Sequence, residues 1–456
     1  MLNHLQRFTS RKWLDEPVGI APLATLRFVL GSMLLVSTLR FLALGWVSDH
    51  YLLPKFHFKY FGFDWVPVLP AGAMYAVHIL LAVSSLCVMI GYRYRLAAVL
   101  QFLLFTYTEL IDLTYYLNHY YFVSIATGLL ILVPANRAFS VDAWRKPDIR
   151  QTQVARWCIL IFQVQLGIVY FYAGIWKINY DWLILALPLK IWVPANDQLP
   201  IVGDFLGWKW TPYLFSWFGM LYDVSIVFWL SWYRTRLFAY ATVVFFHVLT
   251  GLMFQIGVFP LVMIGATLVF FSEEWHTRLW NNIWTWANRF AARSRLRTNM
   301  KISAPTPTHR YIFAALTVHF MFQLLFPWRY LLYPGNIFWT EEGYRFCWRV
   351  MLMEKAGTAT FFVKDGKTGR EGEVVNGEFL NAHQEKQMAM QPDMILQYAH
   401  FLKQHYEQQG MQNPSVRAAV YVTLNARPSR LLFDPNLDLS SIQDGWQTKT
   451  WIWSDQ

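Results

Sequence analysis

Long apolar stretches, separated by short polar ones, run along the first 327 residues of the chain. Most are about 17–25 residues long, which is the length that an α-helix needs to cross the hydrocarbon core of a bilayer. The pattern therefore predicts a polytopic α-helical membrane protein with about nine spans. The predicted blocks lie at about 19–47, 71–91, 96–113, 117–134, 157–176, 213–232, 237–257, 258–272 and 311–327.

Beyond the last block the pattern of apolar and polar positions changes, and charged residues become more frequent. It predicts a β-hairpin, an amphipathic helix and a further strand, at residues 358–375, 393–406 and 416–424. We therefore predict two domains. These are a transmembrane helical bundle over residues 1–327 and a mixed α+β extramembrane domain over residues 328–456.

Basic residues are concentrated in the loops that follow the second, fourth, sixth and eighth blocks. Under the positive-inside rule these loops are cytoplasmic. This places the N-terminus in the cytoplasm and the C-terminal domain on the outer or lumenal side. Residues 1–18 are polar and lack the pattern of a cleaved signal peptide, so the first block is expected to be a retained span.

The composition supports a membrane protein and argues against a nucleic-acid partner, a disulfide framework and a metal site. The chain is 55% hydrophobic and only 15% charged, whereas a soluble chain carries about 25% charged residues. Its net charge of +11 comes from loop residues, so it does not indicate a nucleic-acid partner. The three cysteines have no CxxC or Cys/His spacing, and we expect neither a disulfide framework nor a metal site.

Ionisable and polar residues gather in the outer half of the predicted bundle. An ionisable side chain inside a span is costly, so it is by default a candidate for a functional site. Each also has a structural alternative, as a solvated loop residue or as a hydrogen-bond partner between helices. The residues are Glu109, Asp112, Asn118, His119, Lys177 and His247.

Lys177 follows an apolar and aromatic stretch at the end of the fifth block. A lysine at such an edge either extends its ammonium group to water or is buried as a base. The sequence pattern alone leaves both alternatives open.

The stretch from Tyr172 to Lys177, followed by Asp181 and Trp182, resembles the lysine motif of the vitamin K-dependent γ-glutamyl carboxylases. Further short motifs resemble that family in the same order, over roughly residues 20–440. They are Asn118-His119, Phe139-Ser140-Val141-Asp142, Phe246-His247, Gln255-Ile256-Gly257, residues 365–369, Asp393-Met394, Gln397-Tyr398-Ala399 and Phe433-Asp434-Pro435. The short form resembles the prokaryotic-type relatives that are described by their HTTM domain.

The resemblance implies a lyase that uses vitamin K hydroquinone, or menaquinol, with O₂ and CO₂ and without a metal. In that family, oxygenation of the hydroquinone to its epoxide drives deprotonation and carboxylation of glutamate in a peptide or protein substrate. The first step is deprotonation of the hydroquinone. A lysine can act as this base only when it is uncharged, and an apolar environment favours that form.

The resemblance also implies roles for individual residues. Lys177 and His119 are the expected catalytic residues. The expected cofactor contacts are Asn118, His119, Tyr172, Trp176 and His247, and the expected substrate contacts are Trp348 and Tyr398.

The chain differs from the animal-type pattern at two positions in particular. Trp176 replaces the first of two adjacent lysines, and Met353 occupies the position where a histidine is expected. Two alternatives to a complete carboxylase therefore remain open. One is a quinone epoxidase without glutamate carboxylation, and the other is a non-catalytic membrane module that binds a lipid or quinone.

Overall fold

The computed structural model of the protein describes residues 11–254, 256–290 and 310–455. Short helices at Arg11–Leu14, Val141–Arg145, Tyr180–Leu183, Leu189–Trp192, Gly203–Leu206 and Ile337–Thr340 lie in the connections. The main helices are α1 (Ala21–Ala43), α2 (Ala71–Ile90), α3 (Tyr94–Ile111), α4 (Asn118–Leu132), α5 (Trp157–Ile175), α6 (Thr211–Ser231), α7 (Arg236–Met253), α8 (Phe259–Thr267), α9 (Glu273–Phe290), α10 (Arg310–Leu325), α11 (Ala382–Met388) and α12 (Pro392–Gln408).

Six helical segments of the described chain are long and apolar enough to cross a membrane. They are α1, α2, α5, α6, α7 and Arg310–Leu332, which extends α10. The segments Asn118–Leu132 and Phe259–Phe270 are apolar but shorter, and α3 includes Arg95 and Glu109. Each predicted block thus coincides with a helix, but the count of nine spans is not confirmed.

Helix α5 is the central helix of the bundle. Within its apolar window 61% of the residues are buried, compared with 17–44% for the other candidate spans. It packs along α6, while α1 packs along α2 and α2 along α3. At the start of α5, strand β2 (Gln153–Ala155) pairs antiparallel with strand β1 (Pro17–Gly19). Residues near the end of α5 are therefore held in the interior of the bundle.

The C-terminal region contains four strands, β3 (Lys355–Lys364), β4 (Glu371–Glu373), β5 (Ser415–Leu424) and β6 (Arg430–Leu431). They form an antiparallel sheet with the order β4-β3-β5-β6. The core is formed by one face of this sheet and by α12. In β5, Val416, Ala418, Val420 and Val422 are buried, as alternation along a strand requires. The predicted hairpin, helix and further strand are confirmed.

Asp112 joins the helical bundle to the C-terminal region. It is 1% exposed, and its Oδ2 lies 3.0 Å from Nδ1 of His57. The same oxygen accepts a hydrogen bond from Nε2 of Gln384, in α11, at 2.6 Å. Asp112 is therefore not the solvated loop residue of the structural alternative, because it is buried and bonds both regions.

Within the C-terminal region, Arg345 forms an ion pair with Asp393, at the start of α12. The two side chains are 15% and 22% exposed, and Nη2 of Arg345 donates to Oδ1 of Asp393 at 3.2 Å. Burial alone raises the pKa of Asp393, but the charge and hydrogen bonds of Arg345 outweigh it. The pKa of Asp393 is consequently below its usual range.

We expect Arg345→Met to reduce the free energy of unfolding by about 2 kcal/mol at pH 7, because it removes a charged hydrogen bond to a partly buried carboxylate. Since the pKa of Asp393 is depressed in the folded state, the stabilisation is present above about pH 4 and is lost as the pH falls through the folded-state value. Thermal unfolding in detergent at pH 7 and pH 3 measures both effects.

Arg417→Met is the matched control for this prediction, because Arg417 pairs with Glu371 at the surface of the C-terminal sheet. The side chains of that pair are 30% and 32% exposed, so its loss should cost less than about 1 kcal/mol. Equal losses of unfolding free energy in the two variants would contradict the prediction. So would a loss of unfolding free energy in Arg345→Met that is as large at pH 3 as at pH 7.

Candidate functional site

An apolar cavity lies among helices α5, α6, α7 and α8. Its volume is about 360 Å³, within the range of about 300–1,000 Å³ that is typical of small-molecule sites. Val350 and Met351, from the segment that leads into the C-terminal sheet, complete its wall. Apart from tryptophans, the polar side chains on the wall are those of Tyr170, Lys177, Asp223, His247 and Thr250.

Lys177 and Asp223 form a buried ion pair on the wall of this cavity. Nζ of Lys177 donates to Oδ2 of Asp223 at 2.7 Å, and each side chain is only 7% exposed. Nζ also donates to the backbone oxygen of Ala173 at 3.0 Å and lies 5.4 Å from the ring centre of Trp182. Lys177 is thus buried, and its ammonium group does not extend to water.

A glycine on α5 allows this pair to form. A Cβ on Gly174 would lie 2.6 Å from the backbone nitrogen of Val224, so only glycine permits α6 to approach this closely beside Asp223. On α6, a Cβ on Gly219 would lie 4.0 Å from Cε of Lys177, which is an ordinary van der Waals distance. The close helix crossing is therefore encoded by the small residue Gly174 at the interface.

We expect Gly174→Ala to destabilise the protein by about 1–3 kcal/mol, because the new methyl group overlaps the backbone of α6. The shift of α6 should also separate Lys177 from Asp223 and impair any activity that depends on the pair. Gly167→Ala is the control on the same helix, because its Cβ would meet only Val227, at an ordinary 3.5 Å. Thermal unfolding in detergent measures the melting temperatures of both variants. Similar melting temperatures for Gly174→Ala and Gly167→Ala would refute the prediction.

His247, on α7, presents a second polar group to the cavity. Its Nε2 lies 3.0 Å from the hydroxyl oxygen of Tyr170. Its Nδ1 is buried and has no hydrogen-bond partner within residues 11–254, 256–290 and 310–455. Buried polar atoms in proteins are nearly always hydrogen-bonded, so this nitrogen is suited to bond a ligand in the cavity.

His119 lies immediately outside the cavity. Its ring centre is 5.4 Å from that of Phe259, and the ring centre of His247 is 5.5 Å from the same phenylalanine. Phe259 itself lines the cavity. The structure therefore brings Lys177 and His247 to one cavity and places His119 behind a ring of its wall.

Asn118, Tyr172 and Trp176 make contacts on the far side of the cavity wall. Nδ2 of Asn118 donates to the backbone oxygen of Arg349 at 2.8 Å, and Nε1 of Trp176 donates to that of Cys347 at 2.6 Å. The hydroxyl of Tyr172 donates to the backbone oxygen of Leu324. Asn118 and Trp176 thus hold the segment before Val350 and Met351 against the bundle, whereas Tyr172 bonds α10. Their predicted role in cofactor binding remains a prediction.

The two predicted substrate contacts lie apart from the cavity. Trp348 is fully buried and stacks on Tyr121, with ring centres 4.8 Å apart. Tyr398 is fully buried in the core of the C-terminal region, where it packs against Phe361. Glu109 lines a separate, larger cavity of about 830 Å³. The roles of Trp348 and Tyr398 in substrate binding remain predictions.

Asp223 was not among the residues predicted from the sequence. It interrupts an otherwise apolar run, Met220-Leu221-Tyr222-Asp223-Val224, in the middle of a candidate span. An ionisable residue at such a position is a functional candidate by the same rule that singled out Lys177. That rule, applied to α6, would have found it.

Family models match both parts of the chain. Residues 15–275, more than half of the chain, match the HTTM domain, and residues 308–456 match the vitamin K-dependent gamma-carboxylase lumenal domain. The chain belongs to the gamma-carboxylase family. No solved structure matches it.

Membership in the gamma-carboxylase family implies a vitamin K cofactor, a glutamate-containing substrate and a membrane setting. The carboxylase-family domains also support an enzyme, and the second match suggests a lumenal C-terminal domain. The Lys177–Asp223 pair and His247 lie within the first matched range. The segment that completes the cavity lies within the second.

Proposed function

We propose that the protein is a vitamin K-dependent γ-glutamyl carboxylase-like enzyme. It couples oxygenation of vitamin K hydroquinone, or menaquinol, to the epoxide with deprotonation and carboxylation of a peptide glutamate, using O₂ and CO₂. The observation that carries the proposal is the buried Lys177–Asp223 pair on the wall of an apolar cavity. The proposed orientation has a cytoplasmic N-terminus and an outer or lumenal C-terminal domain.

The residues of the cavity fit the ring of a hydroquinone. Its aromatic and aliphatic walls suit a flat apolar ring, and its few polar groups suit two hydroxyls. Nδ1 of His247, which has no partner among the described residues, can bond one oxygen, and the Lys177–Asp223 pair can bond another. When bound, the cofactor would supply the base for removal of the γ-proton of glutamate.

The roles proposed for the protein follow from this arrangement. The side-chain nitrogen of Lys177 is the proton-transfer group that faces the cavity, and the apolar walls exclude water from it. His119 remains a proposed catalytic residue that borders the cavity through Phe259. Asn118 and Trp176 fix the segment that closes the cavity.

A quinone epoxidase that does not carboxylate glutamate is the second candidate. It is favoured by Met353, which stands where a histidine is expected and packs against the core of the C-terminal region. Met353 does not line the cavity, so its difference from histidine bears on the carboxylation half of the reaction and leaves the residues of the cavity the same in both proposals.

One assay separates the proposals. The purified protein, in detergent, is supplied with vitamin K hydroquinone, O₂, labelled CO₂ and a glutamate peptide, and the epoxide and fixed label are measured separately. Both products are expected. Epoxide without fixed label would support the epoxidase, and neither product would support a non-catalytic membrane module that binds a lipid or quinone.

A further inference from the structure

The cavity of the Lys177–Asp223 pair is lined by one basic and one acidic side chain. Among its described lining residues, Lys177 is the only lysine or arginine and Asp223 the only carboxylic acid. The pair has no net charge, whether it is written as ammonium and carboxylate or as amine and carboxylic acid. Both groups face the cavity and are almost inaccessible to solvent. Any ligand bound there therefore meets the pair and not a lone lysine.

We propose that Asp223 and Lys177 act as one base, in which Asp223 receives the proton and Lys177 stabilises the anion that is left. This inference rests on the proposed function and goes beyond it, because the family resemblance assigns the proton transfer to the lysine alone.

The step is balanced within the cavity. The O–H bond of a hydroquinone hydroxyl breaks, and its electron pair stays on the oxygen. The proton forms a new O–H bond to the carboxylate of Asp223. The ammonium group of Lys177 then pairs with the oxygen anion in place of the carboxylate. One proton moves, and no other reactant is required.

The electrostatic reason is that one ion pair replaces another. Before the transfer, the buried charges are the ammonium of Lys177 and the carboxylate of Asp223. Afterwards they are the same ammonium and the new oxygen anion, so no additional charge is buried. A lone uncharged lysine would instead have to create two charges in an apolar cavity, where charge separation is expensive. Preorganised charges of this kind are an effective means of catalysis.

The same final state arises if the resting pair is uncharged. The amine of Lys177 would then take the proton and become ammonium beside a protonated Asp223. In both descriptions the pair gains one proton and carries one positive charge opposite the anion. In the second description Asp223 is already protonated at rest and only Lys177 gains a proton, so a newly protonated carboxylic acid is expected only from the ion pair that we propose.

Asp223→Asn tests the inference, because it keeps the size and the hydrogen-bonding oxygen of the side chain but cannot hold a proton as a carboxylate does. Epoxide formation should fall by about 10²–10⁴-fold, the usual contribution of an acid–base group. Binding of radiolabelled vitamin K quinone, the oxidised form, should be unchanged within about twofold. Asp223→Glu should recover part of the rate. Asp204→Asn, at an exposed position in the connection before α6, is the control and should retain full activity.

A second readout does not depend on turnover. Infrared difference spectra, recorded when bound vitamin K quinone is reduced, should show the carbonyl band of a newly protonated carboxylic acid. The band should be lost in Asp223→Asn and shifted in Asp223→Glu. Wild-type rates in Asp223→Asn, or no such band in the wild type, would overturn the inference. If the wild type makes no epoxide, the proposed function fails, and the spectrum still decides the role of Asp223 toward a bound quinol.

Discussion

Lys177→Met is expected to reduce epoxide formation from vitamin K hydroquinone by about 10²–10⁴-fold, the contribution of a positioned acid–base group. Methionine has a similar length and fills the same apolar space, but it can neither carry a charge nor transfer a proton. The cavity should keep its shape, so the oxidised quinone should still bind, with its affinity reduced by no more than the loss of one hydrogen bond. Epoxide yield and quinone binding, measured on the same preparation, separate loss of chemistry from loss of the site.

Lys190→Met is the matched control for this substitution. Lys190 lies in the connection between α5 and α6 but is exposed, where its ammonium lies 4.6 Å from the ring centre of Tyr213. This variant should retain wild-type epoxidation. A Lys177→Met protein that binds quinone and still forms epoxide at the wild-type rate would eliminate Lys177 as part of the base.

Much of the fold could be predicted because its signals are local. Each apolar block coincides with a helix, and the hairpin, the helix α12 and the strand β5 follow from periodicity over short windows. The number of spans could not be fixed in this way. Helix α3 contains Arg95 and Glu109, and α4 and α8 are short, so composition alone does not decide whether these three segments cross a membrane.

The distribution of the motif residues around α5 follows from helical spacing. Tyr170, Ala173 and Lys177 are three and four residues apart and line the cavity together. Tyr172 and Trp176 are also four residues apart, and they stack on each other on a different face. A motif that is continuous in sequence therefore has one face toward the cavity and another toward the segment before Val350.

The partner of Lys177 depends on a contact between two helices, which short-range patterns do not encode. The sequence separation between Lys177 and Asp223 is 46 residues, and their contact depends on how closely α5 and α6 pack at Gly174. For the same reason the predicted cluster of outer-leaflet residues divides in the structure. Asp112 is used to join the bundle to the C-terminal region, and Glu109 lines a different cavity.

The stability of single and double variants should show that the pair acts as a unit. Lys177→Met and Asp223→Leu should each destabilise the protein by about 3–5 kcal/mol, because each leaves one buried ionisable group without its partner. The double variant should be close to the wild type, since two well-packed apolar side chains commonly replace a buried ion pair without loss. Thermal unfolding in detergent of the wild type, the two single variants and the double variant yields the coupling free energy between the two positions.

Additive losses in the double variant would show that the two residues stabilise the protein independently and would contradict the pairing at 2.7 Å. Recovery of stability in the double variant, together with loss of epoxidation, would have a further consequence. It would show that folding does not require a lysine and an aspartate at these positions, because apolar residues serve equally well there. The presence of a lysine and an aspartate at these positions would then be explained by the proton transfer that we propose for the pair, and not by stability.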